Sequence, residues 1–482
     1  MSNTTNALSR IQSILDDSSF VEIGGLVTAR STDFNIQEKK APSDGVITGY
    51  GAINGNPVYI YSQDASVLNG TVGEMHARKI VNLMNLALKT GAPVIGLLDC
   101  AGIRLQEAQD ALYSLGRIYT KMSECSGIIP QITAVYGNCG GGLAILAKLS
   151  DFTFMLEDGG KLFVNSPNVI AGNYEEKLDS ASAKFQAEAG VVDFVGNEEE
   201  IANGIRDLIS ILPANYEEGQ LVDISSNDNL NRTCPSALSN VNDPALVLAE
   251  VSDDNFLIEV KKCHAPEMFT GFIRLDGVTV GAVANRLSLY DENGKETAKF
   301  NKALTVNGTK KAADFVKFCN ALEIPIVTLT NVSGFDASLE AEKEMAAAVA
   351  RLTYEFANAD VPKVNLVVGD SYGSAYIAMN SKALGADFVY AYEGVLVGTM
   401  DSNQAVKIIY SDEISKAEDP NKEIADKVSE FEETNNSVLA AAKRGYVDTI
   451  IAPEYTRQYL CAAIEMLYGK QELRADKKHG TI

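Results

Sequence analysis

Apolar and polar positions alternate along this chain with two periods. Residues 7–16, Ala-Leu-Ser-Arg-Ile-Gln-Ser-Ile-Leu-Asp, have helical spacing and predict a short amphipathic helix. Phe20–Ile23 begins extended structure. Val46–Tyr61 breaks at Asn54-Gly55, a pair that favours a type I′ turn, so it predicts strand, hairpin turn and strand. Over 72–89, Val72, Met75, Ile80, Leu83, Met84, Ala87 and Leu88 recur near helical spacing. Gly91-Ala92-Pro93 ends that helix, and Val94–Leu98 reads as a buried strand. A loop over Asp99–Ile103, a polar helix near 104–123 and a strand over Ile132–Tyr136 follow. Strands alternating with helices imply mostly parallel pairing and an α/β fold class.

The strand at 132–136 runs into Gly137-Asn-Cys-Gly-Gly-Gly-Leu143, and a short helical run, Ala144–Leu149, comes next. Glycines between a strand and a helix let backbone N–H groups approach a ligand at the helix N-terminus. Such a site can hold a phosphate, a carboxylate or a developing oxyanion. The alternative is a tight turn that packs strand against helix.

The first half of the chain recurs in the second. Thr48-Gly49-Tyr50 and Gly55 return as Thr270-Gly271-Phe272 and Gly277. After one insertion Pro93, Gly102, Pro130 and Gly137 return as Pro325, Gly334, Pro362 and Gly369, at a constant offset of 232 residues. The chain therefore reads as two copies of one α/β unit. The polar, turn-rich stretch around 225–236 reads as a linker. The expected division is 1–223, a linker over 224–245, and 246–482. The echo of the glycine cluster is Gly369-Asp-Ser-Tyr-Gly-Ser-Ala375, after a strand at 364–368 and before a helix expected over 376–384.

Composition narrows the chemistry. At 482 residues two domains are expected. The net charge of −23 argues against a nucleic-acid partner. No apolar run reaches membrane-spanning length and no secretory signal is visible. Seven cysteines without a C-x-x-C, several inside apolar runs, point to free buried thiols in a reducing compartment, without a zinc site. Only His76, His264 and His479 are present. Gly369-Asp370-Ser371-Tyr372-Gly373 matches the serine-hydrolase elbow. That fold needs a later histidine, and only His479 follows, in a basic tail. Glu107 is open to two readings, a general acid or base, or an exposed helix carboxylate.

Further motifs carry a resemblance. Gln63-Asp64, Gly73-Glu-Met-His-Ala-Arg-Lys79, Lys89–Gly96, Ala101-Gly102-x-Arg104-x-Gln106-Glu107 and Ile129-Pro130-Gln131 resemble segments of biotin-dependent acyl-CoA carboxyltransferases. Phe315–Cys319, Ser333-Gly334-Phe335, Val361-Pro362-Lys363 and Tyr372-Gly-Ser-Ala-Tyr376 are similar to the same family's C-terminal signature.

The resemblance implies two tandem crotonase-like domains related by duplication, and a cytoplasmic hexamer built as a trimer of dimers. It implies a site between the N-half of one protomer and the C-half of another, where a carboxyl group moves between biotin and an acyl-CoA through enolates. Gly141 and Gly142 would hold the thioester oxygen. Ser374 and Ala375, with Gly373, would hold the biotin oxygen. Ala101, Gly102, Arg104 and Gly140 would contact the coenzyme A thioester, and Ile377 would line an apolar acyl pocket. The implied partners are a biotin carboxyl carrier protein and either a biotin carboxylase or a membrane sodium-pump decarboxylase subunit. The sequence departs from the family at Ser374, where glycine is usual, and at Ala347–Arg351, where an Arg-His pair is missing. Its A-W-P segment stands as Ala391-Tyr392-Glu393. The competing readings are a biotin-independent hydratase or isomerase using Glu107, and a non-catalytic scaffold of a biotin complex.

Overall fold

The computed structural model describes residues 6–30, 41–171, 178–218, 226, 228–291, 293–472 and 479–481. It divides into two compact units, Met1–Gly219 and Gln220–Ile482. The boundary expected at 223/224 and most of the basic tail before His479 lie outside the described residues.

In the first unit the strands are β1 (Val21–Ile23), β2 (Val46–Ile53), β3 (Asn56–Gln63), β4 (Val94–Cys100), β5 (Gln131–Gly140), β6 (Phe152–Leu156), β7 (Lys161–Phe163) and β8 (Phe194–Gly196). Their order in the sheet is β1-β2-β3-β4-β5-β6-β8, with β7 on the end of β5. The β1–β2 and β2–β3 pairs are antiparallel, and pairing is parallel from β3 onward. In the second unit the strands are β9 (Leu257–Glu259), β10 (Met268–Leu275), β11 (Val278–Asn285), β12 (Ser288–Tyr290), β13 (Glu296–Lys299), β14 (Ile326–Thr330), β15 (Lys363–Val367), β16 (Ser371–Tyr372), β17 (Phe388–Tyr392), β18 (Val397–Gly398) and β19 (Thr449–Ile451). The main sheet runs β9-β10-β11-β14-β15-β17-β19, with the same change from antiparallel to parallel after its third strand. Two sheets with one topology are what the repeated sequence requires.

The likeness extends to side chains. Asn54-Gly55 and Asp276-Gly277 both turn with positive φ, as a type I′ hairpin demands. Each turn is held from below by a carboxylate. Asp16 accepts the N–H of Asn54 and Gly55 at 3.0 and 2.9 Å, and Asp253 accepts those of Asp276 and Gly277 at 3.1 and 2.7 Å. Each carboxylate also binds an arginine, Arg206 and Arg457 respectively.

Helix limits follow local chemistry. Glu74–Thr90 ends at Gly91, whose φ of 63° suits a left-handed cap. The expected helix over 104–123 is a short 3₁₀ turn, Leu105–Glu107, followed by a helix over Ala108–Cys125. The helix expected over 376–384 is Gly373–Ala378, with a separate turn at Lys382–Leu384. Asn380 interrupts it with φ 56°, and its buried amide donates to Thr328 Oγ1 at 3.1 Å. Tertiary hydrogen bonding overrides helical propensity there.

The stretch expected as a linker packs onto the second unit over its described residues. Cys234 and Ala237 lie fully buried in that unit's core, and Arg232 donates to the carbonyls of Glu250 and Ser252. Its turn residues form capped loops, which composition alone does not distinguish from a flexible connection.

Candidate functional site

Strand β5 carries the first glycine turn. Gly137 lets the backbone pass Asp99, since a Cβ there would lie 2.0 Å from Asp99 Oδ1. Asp99 is paired with Arg10 at 3.1 Å. At Gly140 a Cβ would meet the Phe163 ring at 2.7 Å. Gly141 bends the chain with φ 61° and ψ −124° and caps the helix Gly142–Leu149. The N–H of Gly141 donates to the Phe163 carbonyl at 2.8 Å. Gly141 therefore shapes the turn, and the expectation that its own amide grips a ligand oxygen is corrected. The N–H groups of Gly142 and Leu143 open the helix, where no intrahelical acceptor is in reach.

The loop after β4 lies beside helix Glu74–Thr90. Ala101 is exposed, and Gly102 has φ 116° in open space. The loop is fixed by Val72, whose N–H donates to the Gly102 carbonyl and whose carbonyl accepts the Arg104 N–H, each at 2.9 Å. Arg104 is 1% exposed. Its guanidinium binds Asp44 at 2.5 Å, Glu107 at 2.9 Å and the Thr71 carbonyl at 2.7 Å. Arg104 thus fastens the loop from inside, with its charge already matched by two carboxylates.

Glu107 fits neither reading drawn from the sequence. It is buried, ion-paired to Arg104, and accepts the N–H of Glu74 at 2.6 Å at the start of helix Glu74–Thr90. His76 lies in the same network. Its ring nitrogens meet the Asp44 carbonyl at 3.0 Å and the Gln63 amide at 3.2 Å, and burial pushes its pKa down to about 3. It is a neutral structural group. Burial raises the Asp44 carboxyl above its ordinary range, against the pull of Arg104. The repeat preserves one part of this cluster. Lys79 donates to the Ser43 carbonyl, and its counterpart Lys311 donates to the carbonyls of Lys261 and His264. Burial lowers both lysines to about 8.

Strand β15 carries the second turn. Gly369 passes Asn331 as Gly137 passes Asp99, with a Cβ-to-Oδ1 approach of 2.3 Å. Ser371 is 0% exposed, and its hydroxyl donates to the Gly369 carbonyl at 2.9 Å. A buried, self-satisfied hydroxyl is not a hydrolase nucleophile. Gly373 turns with φ 65°, matching Gly141. Ser374 is exposed and Ala375 is buried at the start of the helix that follows.

A cavity of about 460 Å³ is lined by Ser333, Gly334, Phe335, Ser374, Ala375 and Asp401, among others. A second, of about 710 Å³, takes in Gly373, Ser374, Tyr376, Ile377, Ser381 and Phe431. Ile377 is 44% exposed. Tyr376 and Ser381 border this cavity, and their hydroxyls are buried and have no protein partner. The sequence presents Tyr376 only as part of a signature segment and passes over Ser381, because each gains meaning only from the cavity beside it. Among the described residues there is no cluster of metal-ligating side chains, and no helix is long and apolar enough to cross a membrane.

Two parallel-sheet units, each ending a central strand in a glycine turn that opens a helix, define a protein of the crotonase-like class. The carboxyl transferase domain model matches residues 3–482, and the chain belongs to the biotin-dependent acyl-CoA carboxyltransferase family. It is 36% identical to the methylmalonyl-CoA decarboxylase alpha subunit of Veillonella parvula, over 99% of this chain and 92% of that one. It is 35% identical to the propionyl-CoA carboxylase beta chain of Roseobacter denitrificans, over 99% and 93%. Transcarboxylase 12S, solved as a hexamer assembly with methylmalonyl-coenzyme A bound, superposes with a TM-score of 0.91 at 33% identity, covering 98% of this chain and 91% of that one.

Proposed function

We propose that this chain is the carboxyltransferase subunit of a biotin-dependent complex and moves a carboxyl group between carrier-bound biotin and an acyl-CoA. The observation that carries the reading is the pair of equivalent helix-opening glycine turns, one in each unit, at the same place in the same topology. Bound biotin supplies or accepts the carboxyl group. The chain's part is to hold negative oxygen on backbone N–H groups, which needs no side-chain nucleophile. Removing one such donor costs roughly 3 kcal/mol in other enzymes.

On this reading the N–H groups after Gly141 receive the thioester oxygen, with Ala101, Gly102 and Gly140 lining the approach. Ser374 and Ala375 receive the biotin oxygen. The second unit's residues suit a small cyclic urea with an apolar body. Ile377, Val397 and Phe431 offer apolar wall. Ile377 makes the acyl side apolar.

Exposed apolar side chains occur in both units, Leu112, Tyr113 and Ile145 in the first and Ile377, Leu439 and Tyr446 in the second. They favour a homo-oligomer, a hexamer built as a trimer of dimers, in which the first unit of one copy meets the second unit of another. The completing partners are a separate biotin carrier and either a biotin carboxylase or a membrane decarboxylase subunit.

Incubation with malonyl-, methylmalonyl- and glutaconyl-CoA plus free biotin tests the reading. Biotin-dependent CO2 release from at least one is expected. No release from any of them rejects it, and enoyl-CoA turnover without biotin would favour the hydratase instead.

A further inference from the structure

Tyr119 reaches the first glycine turn from helix Ala108–Cys125. It is half-buried, and its hydroxyl donates to the Gly142 carbonyl at 2.5 Å. The same hydroxyl explains the glycine. A Cβ at 142 would lie 2.7 Å from Tyr119 Oη and 2.8 Å from Leu115 Cδ2, although Gly142 has no positive φ. Gly141 is the reverse case, with φ 61° and open space around it. One glycine turns the chain, and the other clears room for Tyr119.

The Gly142 carbonyl shares its peptide group with the Leu143 N–H. A bond to the carbonyl end fixes the plane of that peptide and polarises it, which strengthens the N–H as a donor. Burial raises the Tyr119 phenol above its ordinary pKa, so it stays protonated and donates at neutral pH. The second unit is an internal control. At the offset of 232 residues Tyr119 corresponds to Arg351, which is ion-paired to Asp314. The second turn carries a side chain, Ser374, where the first has Gly142.

We propose that Tyr119 is a positioning residue, which orients the Gly142–Leu143 peptide so that the helix-opening N–H groups grip the thioester oxygen as it gains charge. This rests on the carboxyltransferase reading of that turn. The test is Tyr119→Phe in the full-length chain, with the acyl-CoA that the wild type turns over. kcat is expected to fall about tenfold with KM changed less than twofold, the mark of an interaction made only in the transition state. In parallel, titration calorimetry compares propionyl-CoA with a nitronate acyl-CoA analogue that mimics the enolate. The variant binds the analogue about tenfold more weakly and propionyl-CoA unchanged.

A second variant carries 3,5-difluorotyrosine at 119, which keeps the ring and acidifies the phenol. Its kcat falls with rising pH as the donor ionises, where the wild type stays flat. Wild-type kcat and analogue affinity in Tyr119→Phe, or equal losses for both ligands, overturn the proposal. A wild type that neither releases CO2 nor binds the analogue overturns the carboxyltransferase reading itself, and this inference with it.

Discussion

Replacing Arg104 with methionine removes one cation from between two carboxylates and leaves the volume nearly filled. The Asp44 and Glu107 side chains are both 0% exposed, so neither can turn to water for compensation. Breaking a buried pair by removing one partner costs about 3–5 kcal/mol. The Thr71 carbonyl also loses its donor, for about another 1 kcal/mol. A loss of about 5 kcal/mol at pH 7.5 follows. At roughly 2–4 °C per kcal/mol for a unit of this size, the first thermal transition drops by roughly 10–20 °C.

The pH dependence has a definite sign. Burial raises Asp44 above its ordinary value, and Arg104 is the main group pulling it back. Without Arg104 the carboxyl takes up a proton at higher pH, and a neutral carboxyl needs no counter-charge. The gap between wild type and variant therefore narrows as the pH falls from 7.5 to 5.5. Differential scanning calorimetry of the full chain at both pH values reads it. A gap under about 1 kcal/mol, or one unchanged by pH, would refute the account of this network.

Three further outcomes follow from the same geometry. Gly73→Ala places a Cβ 2.4 Å from both Arg104 Nη1 and Glu107 Oε1, and should lower the urea midpoint by the equivalent of about 1–3 kcal/mol. His76 has a folded pKa of about 3 against an ordinary 6.5, so it contributes stability that is lost as pH falls through 6.5 toward 3. His76→Gln should flatten that limb of the stability–pH curve, followed by circular dichroism. A fluorophosphonate probe should leave Ser371 unlabelled in intact protein by mass spectrometry, because its hydroxyl is buried and bonded to Gly369.

The sequence carried much of this in its spacing. The offset of 232 residues foretold the shared strand order, and Asn54-Gly55 foretold its hairpin, because both are properties of the chain read locally. What it hid was long-range. Arg104 and Glu107 lie on a polar stretch that reads as exposed, and only Asp44, sixty residues away, draws them inside. Gly141 and Gly142 are indistinguishable as letters. The structure separates them by a positive φ at one and a tyrosine hydroxyl against the other. The linker expected at 224–245 erred for a similar reason, since turn residues signal direction changes whether or not the turns are packed.

The central claim is that the two turns work together, each holding one oxygen during carboxyl exchange. A structure of the oligomer with acyl-CoA and biotin bound tests this most directly. The account predicts one shared cavity, with the thioester oxygen on the amides after Gly141 and the biotin oxygen on those of Ser374 and Ala375 from a neighbouring copy. Turns opening into separate cavities, too far apart for biotin to meet the thioester, would contradict it.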